Sequence, residues 1–389
     1  MKIGILLSRF PYPLEKGDKL RAFHQIKSLS KKHELYVCAL STKKINPEVY
    51  EKVKPHCKEL NVIRLHFIFV GLHLIYGLFF SRLPLQVLYF YDRSAKNKII
   101  RFFNRFNLDH LYCQLIRTSE YLKDFKDCPK TLDYMDALSS GMSKRIEKSP
   151  FYFKPFVKIE AKRLKRYEHF IFNHFDHKTI ISEQDRKIIV HAKNDQIKVI
   201  SNGVDFDYFK AVASEKKYDI IFTGNMSYPP NVTAASFLIQ KVMPLLWQED
   251  ETLKVVIAGA NPARKVKQLA SQNVEVTGWM EDIRDAYATS KIFVAPMQIG
   301  SGLQNKLLEA MAMELPCITT ELANNALNAI HNESILIANT AEEFANSIAE
   351  LLKNENKRNA VAKMGNAFVN KRYNWDETTK QLEKLFLTK

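Results

Sequence analysis

The amino-acid sequence predicts an α/β protein made of two doubly wound, parallel-sheet domains. Three observations carry that expectation. Short apolar, β-branched runs alternate with helical stretches along the whole chain, the pattern of parallel strands covered on both faces. The runs form two series, one on either side of the turn-forming pair Asn202-Gly203. The 389 residues leave room for two or three domains of ordinary size, and 46% hydrophobic with 26% charged residues suits a globular chain.

In order, the first series places strands at 2–8, 35–40, 62–67, 110–114, 131–135 and 178–182. The second places them at 219–223, 254–258, 274–277, 291–296, 317–320 and 335–338. The first series defines an N-terminal domain over 1–200, the stretch 201–216 a linker, and the second series a C-terminal domain over 217–372. The segment 373–389 reads as a helix after a break, long enough to return to the first domain. In open α/β sheets ligands sit at the carboxyl ends of the strands, so two facing domains would place a site in the cleft between them.

Formal net charge is +16 and unevenly shared: residues 1–200 hold 38 Lys and Arg against 20 Asp and Glu, the remainder 20 against 22. A basic half seeks a phosphorylated substrate, an anionic membrane face or nucleic acid. A basic surface that only aids solubility is the plain alternative. No DNA or RNA module accompanies the charge, so nucleic acid is not expected as a partner. Five cysteines without a C-x-x-C pair suggest reduced thiols in a cytoplasmic protein. The start, Met1 to Ser8, has too short an apolar run for a signal peptide. Residues 67–80 are the most apolar stretch, too short to span a bilayer. They read as buried core or, beside Arg64, Arg82 and Arg93, as an interfacial insertion.

The richest motif is Gly300-Ser-Gly-Leu-Gln-Asn-Lys-Leu-Leu-Glu-Ala-Met-Ala-Met313. A strand feeds a glycine loop that opens directly into a helix, so backbone N–H groups and the helix dipole favour an anion there. Lys306 and Glu309 share a face of that helix, in an order that opposes its dipole. A bound anion would resolve the misfit; an ordinary surface pair is the bland alternative. Gly17 opens the loop-to-helix turn of the first strand and could let the backbone approach the donor, with Asp18 as a candidate cap; capping alone is the plain alternative. Gly224 and Asn225 follow a second-domain strand and could present polar groups to a donor phosphate; Asn231 as a plain helix cap is the alternative. Gly278, Trp279 and Met280 follow another, where Trp279 could wall a flat base or fill core. Asp133 and Asp136 end a first-domain strand and could bind sugar hydroxyls or take a proton, or simply begin a helix.

Together these pieces resemble the family-4 retaining glycosyltransferases of the GT-B type, over nearly the whole chain. The resemblance rests on Ser201-Asn-Gly-Val-Asp205, Phe222-Thr-Gly224, Val256-Ile-Ala-Gly259, Thr277-Gly278, Gly300 to Met313 and Pro316. Gly17-Asp-Lys-Leu-Arg21 and Asp133-Tyr-Met-Asp-Ala-Leu-Ser139 are similar to a bacterial branch that builds exopolysaccharide or other surface glycans. The family pattern has two glutamates separated by seven residues; Glu309 matches the second, and Ser301 stands at the first. It also often has Gly-Arg and then Lys-Gly where this chain has Gly224-Asn225 and Pro230-Asn231. Lys306 is the candidate for the cation missing there.

The resemblance implies two Rossmann-like domains and a nucleotide-sugar co-substrate, with no cofactor and no metal. Glu309 would hold ribose hydroxyls, Gly278 to Met280 would frame the base, and Ser301, Gly302, Leu303, Gln304, Asn305 and Lys306 would hold the diphosphate. Lys306, Glu309 and Asp136 are the catalytic candidates, and Arg21, Gln114, Asp133 and Asp136 the acceptor-binding ones. Gln114 stands nearest to where many relatives carry a histidine. Asp205-Phe-Asp207 spells a metal-binding D-x-D but falls in the interdomain turn, and Asp176 with His174 and His177 lacks a second ligand set. The expected reaction moves a sugar to a glycan or polyprenyl-diphosphate-linked acceptor at the inner face of the cytoplasmic membrane. The rival classes are a nucleic-acid-binding protein and a non-catalytic membrane-associated protein on the same scaffold.

Overall fold

The computed structural model describes residues 1–65, 70, 71, 74, 77, 80–299 and 302–388. Most of the apolar stretch 67–80, and both Gly300 and Ser301, lie outside the described residues. The chain divides into two units, Met1–Ser201 with Trp375–Lys389, and Asn202–Asn374.

The first unit is built on seven parallel strands: β1 (Lys2–Leu7), β2 (Glu34–Ser41), β3 (Glu59–Arg64), β4 (His110–Gln114), β5 (Lys130–Asp133), β6 (His177–Ile180) and β7 (Ile197–Val199). Their order is β3-β2-β1-β4-β5-β6-β7. The central strands are apolar almost throughout because helices cover both faces. Alternate side chains feed two cores. Leu6, Cys38, Leu111 and Leu132 join Phe103 and Leu164 on one side. Ile3, Ile5, Val37 and Tyr112 join Ile26, Leu382 and Phe386 on the other. The helix Trp375–Leu387 thus completes a core layer of this unit. Trp375 stacks on His24 at 5.0 Å, and Phe386 on His110 at 4.4 Å.

The second unit has six parallel strands: β8 (Tyr218–Thr223), β9 (Val255–Ala258), β10 (Val274–Gly278), β11 (Ser290–Ala295), β12 (Cys317–Thr319) and β13 (Leu336–Ile337). Their order is β10-β9-β8-β11-β12-β13. In each sheet the first three strands are added outward on one side and the fourth returns to the other side of the first, so the switch points lie between β1 and β4 and between β8 and β11.

Three expectations change. The third strand runs Glu59–Arg64 where the pattern predicts 62–67 (66 and 67 lie outside the described residues), because only Leu60 and Ile63 of this edge strand are buried and its apolar signal is weak. β7 adds a strand that the pattern does not predict, because it is a three-residue edge strand with Lys198 exposed. Residues 202–216 group with the second unit rather than standing as a linker. Val204 N–H donates to Tyr373 O at 2.7 Å, and Phe206 and Phe209 pack on the second core. Asp205 Oδ1 accepts from the N–H groups of Asp207 and Tyr208 at 3.0 and 3.2 Å, which gives the D-x-D a turn-forming role.

Candidate functional site

The second unit gathers a cluster at the carboxyl end of β8, beside its switch point. β8 ends at Thr223, and Gly224 follows with φ 150°, a conformation that side chains disfavour. A Cβ on Gly224 would fall 2.6 Å from Asn231 Nδ2 and 2.9 Å from Lys306 Nζ. Gly259, after β9, has φ 136°, and its Cβ would fall 2.0 Å from the Gly224 carbonyl oxygen. Two glycines therefore let backbone and ammonium approach where any side chain would collide.

Lys306 lies in the first turn of the helix Asn305–Ala312. Its Nζ donates to Asn231 Oδ1 at 2.6 Å and stands 4.5 Å from the centroid of the Phe222 ring. Asn231 Nδ2 in turn donates to Asn225 O at 2.9 Å. Burial pushes the Lys306 ammonium down to about 7, against the attraction of Glu309. Glu309 is pushed upward by burial, against a hydrogen bond from Tyr287 and the pull of Lys306. Tyr287 OH donates to Glu309 Oε2 at 3.0 Å and lies 2.8 Å from Thr223 Oγ1. The cluster thus holds a cation that titrates near neutrality, one neutral donor away from the mouth of β8.

The helix start adds donors. The N-cap residue Gln304 makes no side-chain cap, and its amide donates instead to Gly302 O at 3.1 Å. Gly302 has φ 101° with nothing within 4 Å of a Cβ, so its conformation, not crowding, calls for glycine. Asn305 Oδ1 accepts from Asn202 at 3.4 Å, and Leu303 packs at the core edge. Asn225 is exposed, and its Oδ1 accepts from Ser227 N–H and Oγ at 3.0 and 2.7 Å. Gly278 has φ 73°, Met280 packs on the core, and Trp279 is 69% exposed, so Trp279 does not fill core. Asn231, singled out only as a cap, and Tyr287, not singled out at all, hold the two key side chains. No local pattern marks Tyr287, because its partner is 22 residues away.

In the first unit the acceptor candidates separate. Arg21 Nε donates to Asp133 Oδ2 at 2.6 Å, with both side chains fully buried. Tyr112 OH stands 2.6 Å from the same oxygen, and Met135 N–H reaches Asp133 Oδ1 at 3.2 Å. Asp133 and Arg21 are therefore consumed in an internal network and present nothing to a sugar. Gln114 is also buried, donating to Asp18 O at 3.0 Å, which secures the first loop. Asp18 does not cap its helix; it pairs with Arg9 at 2.7 Å. Gly17 begins that helix with open space around it. Asp136 alone is exposed. Surrounding protein first, then the Asp185 and Asp133 carboxylates, push it up to about 7, against Arg21 and Arg117. Among the described residues no group of three or more His, Cys, Asp or Glu is arranged to hold a metal.

Residues 217–354 match the family described as Glycosyl transferases group 1. That segment contains every residue of the Lys306 cluster. Over 96% of its length the chain is 24% identical to an uncharacterized 44.6 kDa protein in the cps region of Klebsiella pneumoniae, of which it covers 96%. It is similar in structure to Anabaena HepE in complex with UDP, with a TM-score of 0.70 at 14% identity over 99% of each chain. It is likewise similar to sucrose-phosphate synthase from Thermosynechococcus elongatus, with a TM-score of 0.71 at 15% identity over 99% of this chain and 98% of that one. The chain has the two-domain GT-B fold. The family match lies within the second unit.

Proposed function

We propose that the protein transfers a sugar from a nucleotide-diphosphate donor to a hydroxyl of a glycan or lipid-linked acceptor in surface-polysaccharide biosynthesis. The observation that carries this reading is the Lys306 ammonium held against the Gly224–Asn231 turn. As the glycosidic bond to the donor breaks, its electron pair goes to the diphosphate, whose charge grows. Lys306 and the N-terminal N–H groups of Asn305–Ala312 stabilise that charge without a metal. The acceptor oxygen bonds to the sugar carbon, and its proton passes to the departing diphosphate. Glu309 holds the ribose hydroxyls, Gly278 to Met280 frame the base, and Gly302 to Asn305 join Lys306 in holding the diphosphate. Retention of configuration belongs to this proposal through the family resemblance. The Klebsiella relative's place in a cps region favours a surface glycan, and HepE's complex with UDP favours a uridine nucleotide.

Attachment to an anionic membrane surface, at its cytoplasmic face, is part of the same reading. Phe151, Tyr152, Phe153, Phe156 and Ile159 are all exposed at the start of the helix Lys154–Phe172. Lys154, Lys158, Lys162, Lys165 and Arg166 are exposed along the same helix. Its two acids turn inward. Glu160 accepts from Leu85 and Gln86 N–H, and Glu168 from Ser139. Aromatic side chains beside unopposed cations fit a headgroup layer. No helix of the described residues is long and apolar enough to cross a membrane.

The test is a thermal-shift screen of UDP-, GDP- and ADP-sugars on the purified chain, followed by turnover assays. One sugar nucleotide should stabilise the native protein, and Lys306→Met should lose that stabilisation while folding normally. A Lys306→Met variant that turns over donor at the normal rate would end this reading. Pelleting with phosphatidylglycerol vesicles, weakened by F153S with F156S, checks the membrane part; binding to neutral vesicles alone would contradict it.

A further inference from the structure

We propose that Tyr287 is a positioning residue for the donor nucleotide: its phenol fixes the Glu309 carboxylate by one oxygen and leaves the other to accept from ribose hydroxyls. This rests on the transferase reading above and adds to it a buried residue, away from the ligand, that sets the preference for ribose over its deoxy forms.

Tyr287 lies in the helix Ile283–Ala288, between β10 and β11, and is fully buried. Its ring stands 6.3 Å from that of Phe209, nearly edge-on at 82°, and 5.9 Å from that of Phe293. Phenylalanine would fill this aromatic setting as well. A buried hydroxyl costs free energy unless it is bonded, so packing alone does not account for the phenol. Its two bonds do. The phenol oxygen stands 2.8 Å from Oγ1 of Thr223, the last residue of β8, and 3.0 Å from Oε2 of Glu309 in the helix Asn305–Ala312. One hydroxyl thus joins three elements of the second unit at the carboxyl end of β8.

The protons give this link a direction. Burial first, then the Glu309 charge, holds the phenol well above its ordinary value, so it keeps its single proton. A carboxylate only accepts, so that proton goes to Oε2, and the buried Thr223 hydroxyl donates to the phenol oxygen. Oε2 is thereby occupied. Glu309 itself is half-buried, and its Oε1 has no hydrogen-bond partner among the described residues. Lys306, on the same helix face, donates to Asn231 instead. The carboxylate is therefore held at one oxygen and open at the other. An open carboxylate oxygen is met by hydrogen-bond donors. The hydroxyls of a nucleotide supply them, whereas its phosphates would be repelled.

The experiment is calorimetric titration of the full chain with the nucleoside diphosphate that the thermal-shift screen selects, UDP by expectation, and with its 2′,3′-dideoxy form. The wild-type chain should bind the ribose form about tenfold or more tightly. Tyr287→Phe should narrow that preference to about threefold or less, by weakening the ribose form while the dideoxy form stays within about twofold. Tyr287→Phe with Thr223→Val, which also removes the stranded Thr223 hydroxyl, should show the same narrowing and decides the matter if the single variant does not fold. A pH profile adds a second readout. The Tyr287 bond holds Glu309 down against burial, so without it the carboxyl takes its proton at higher pH. The preference for ribose, in which the phosphate's own titration cancels, should then fade at higher pH in Tyr287→Phe than in the wild type. A merely structural tyrosine would weaken both nucleotides alike and leave the profile in place. A wild-type chain without the preference, or variants that keep it, would overturn the proposal. A wild-type chain that binds neither form would overturn the transferase reading, and the proposal with it.

Discussion

Donor affinity should fall steeply as pH rises through neutrality, because Lys306 must be charged to hold a diphosphate. Burial sets its pKa at about 7, well below an exposed lysine. The sign follows from protonation. The complex holds the ammonium charged, whereas the free protein at pH 8 holds it charged only about one time in eleven. Binding then takes up close to one proton, and affinity falls with pH. The apparent Kd scales as one plus ten to the power of pH minus 7. It should rise about tenfold between pH 6 and 8, or about 1.4 kcal/mol, and roughly another tenfold by pH 9.

The assay is titration calorimetry with an intact nucleotide-sugar, whose diphosphate is esterified at both ends and keeps its charge across this window. Repeating it at pH 8 in buffers of different ionisation enthalpy counts the proton directly. Lys306→Arg, which stays charged, should flatten the profile. A Kd constant from pH 6 to 9 with no buffer-dependent heat would refute the reasoning: the ammonium would then be charged already or remote from the phosphates.

Three further outcomes follow from the packing. Gly259→Ala should cost several kcal/mol and abolish donor binding, since its Cβ meets the Gly224 carbonyl at 2.0 Å; a normal urea midpoint would contradict this. Arg21→Met should destabilise by about 3 kcal/mol by stranding the Asp133 carboxylate, with partial rescue by Asp133→Leu and no change in donor Kd; a selective loss of acceptor affinity would restore Arg21 as a substrate ligand. Burial holds His110 at about 3, below its unfolded value of 6.5, so its contribution is intact above pH 6.5 and drains as pH falls toward 3. At pH 5.5 the loss should be about 1.4 kcal/mol, and His110→Gln should remove that slope from urea unfolding.

Much of the fold was legible because parallel strands buried on both faces announce themselves as apolar runs. β8, β9 and β11 are such runs, and all are central. The failures sit at sheet edges, where that signal fades: β3 buries only Leu60 and Ile63, and β7 is three residues long. The Lys306–Glu309 helix was legible for a different reason, since a cation near a helix N-terminus contradicts the dipole and demands an explanation. What it touches was not legible. Asn231 and Tyr287 reach it from 75 and 22 residues away, and no spacing rule connects them. The acid pair Asp133 and Asp136 shows the converse error. One strand end carries both, yet Asp133 points into the Arg21 and Tyr112 network while Asp136 is exposed, because the chain turns sharply at Met135. The loop after β1 drew attention to Gly17, whereas the unsatisfied group is Ser8.

That turn at Met135 illuminates how the two sheets treat strain differently. Both place left-handed residues just beyond central strands. In the first unit these are Leu115 and Met135, with φ 67° and 61°. In the second they are Gly224 and Gly259, just beyond β8 and β9. A left-handed non-glycine residue costs about 1–2 kcal/mol, which burial of a large apolar side chain can offset, since it contributes roughly 1.5–3 kcal/mol. Leu115 and Met135 are each only 3% exposed, so the first unit converts its sharp turns into core. The second cannot do so at Gly224 and Gly259, because their missing Cβ atoms are what admit the Lys306 ammonium and the neighbouring carbonyl. Bare backbone there serves no packing purpose. It brings the Lys306 ammonium against the Gly224–Asn231 turn, the geometry on which the proposed donor site rests, in the second unit although the net positive charge belongs to the first.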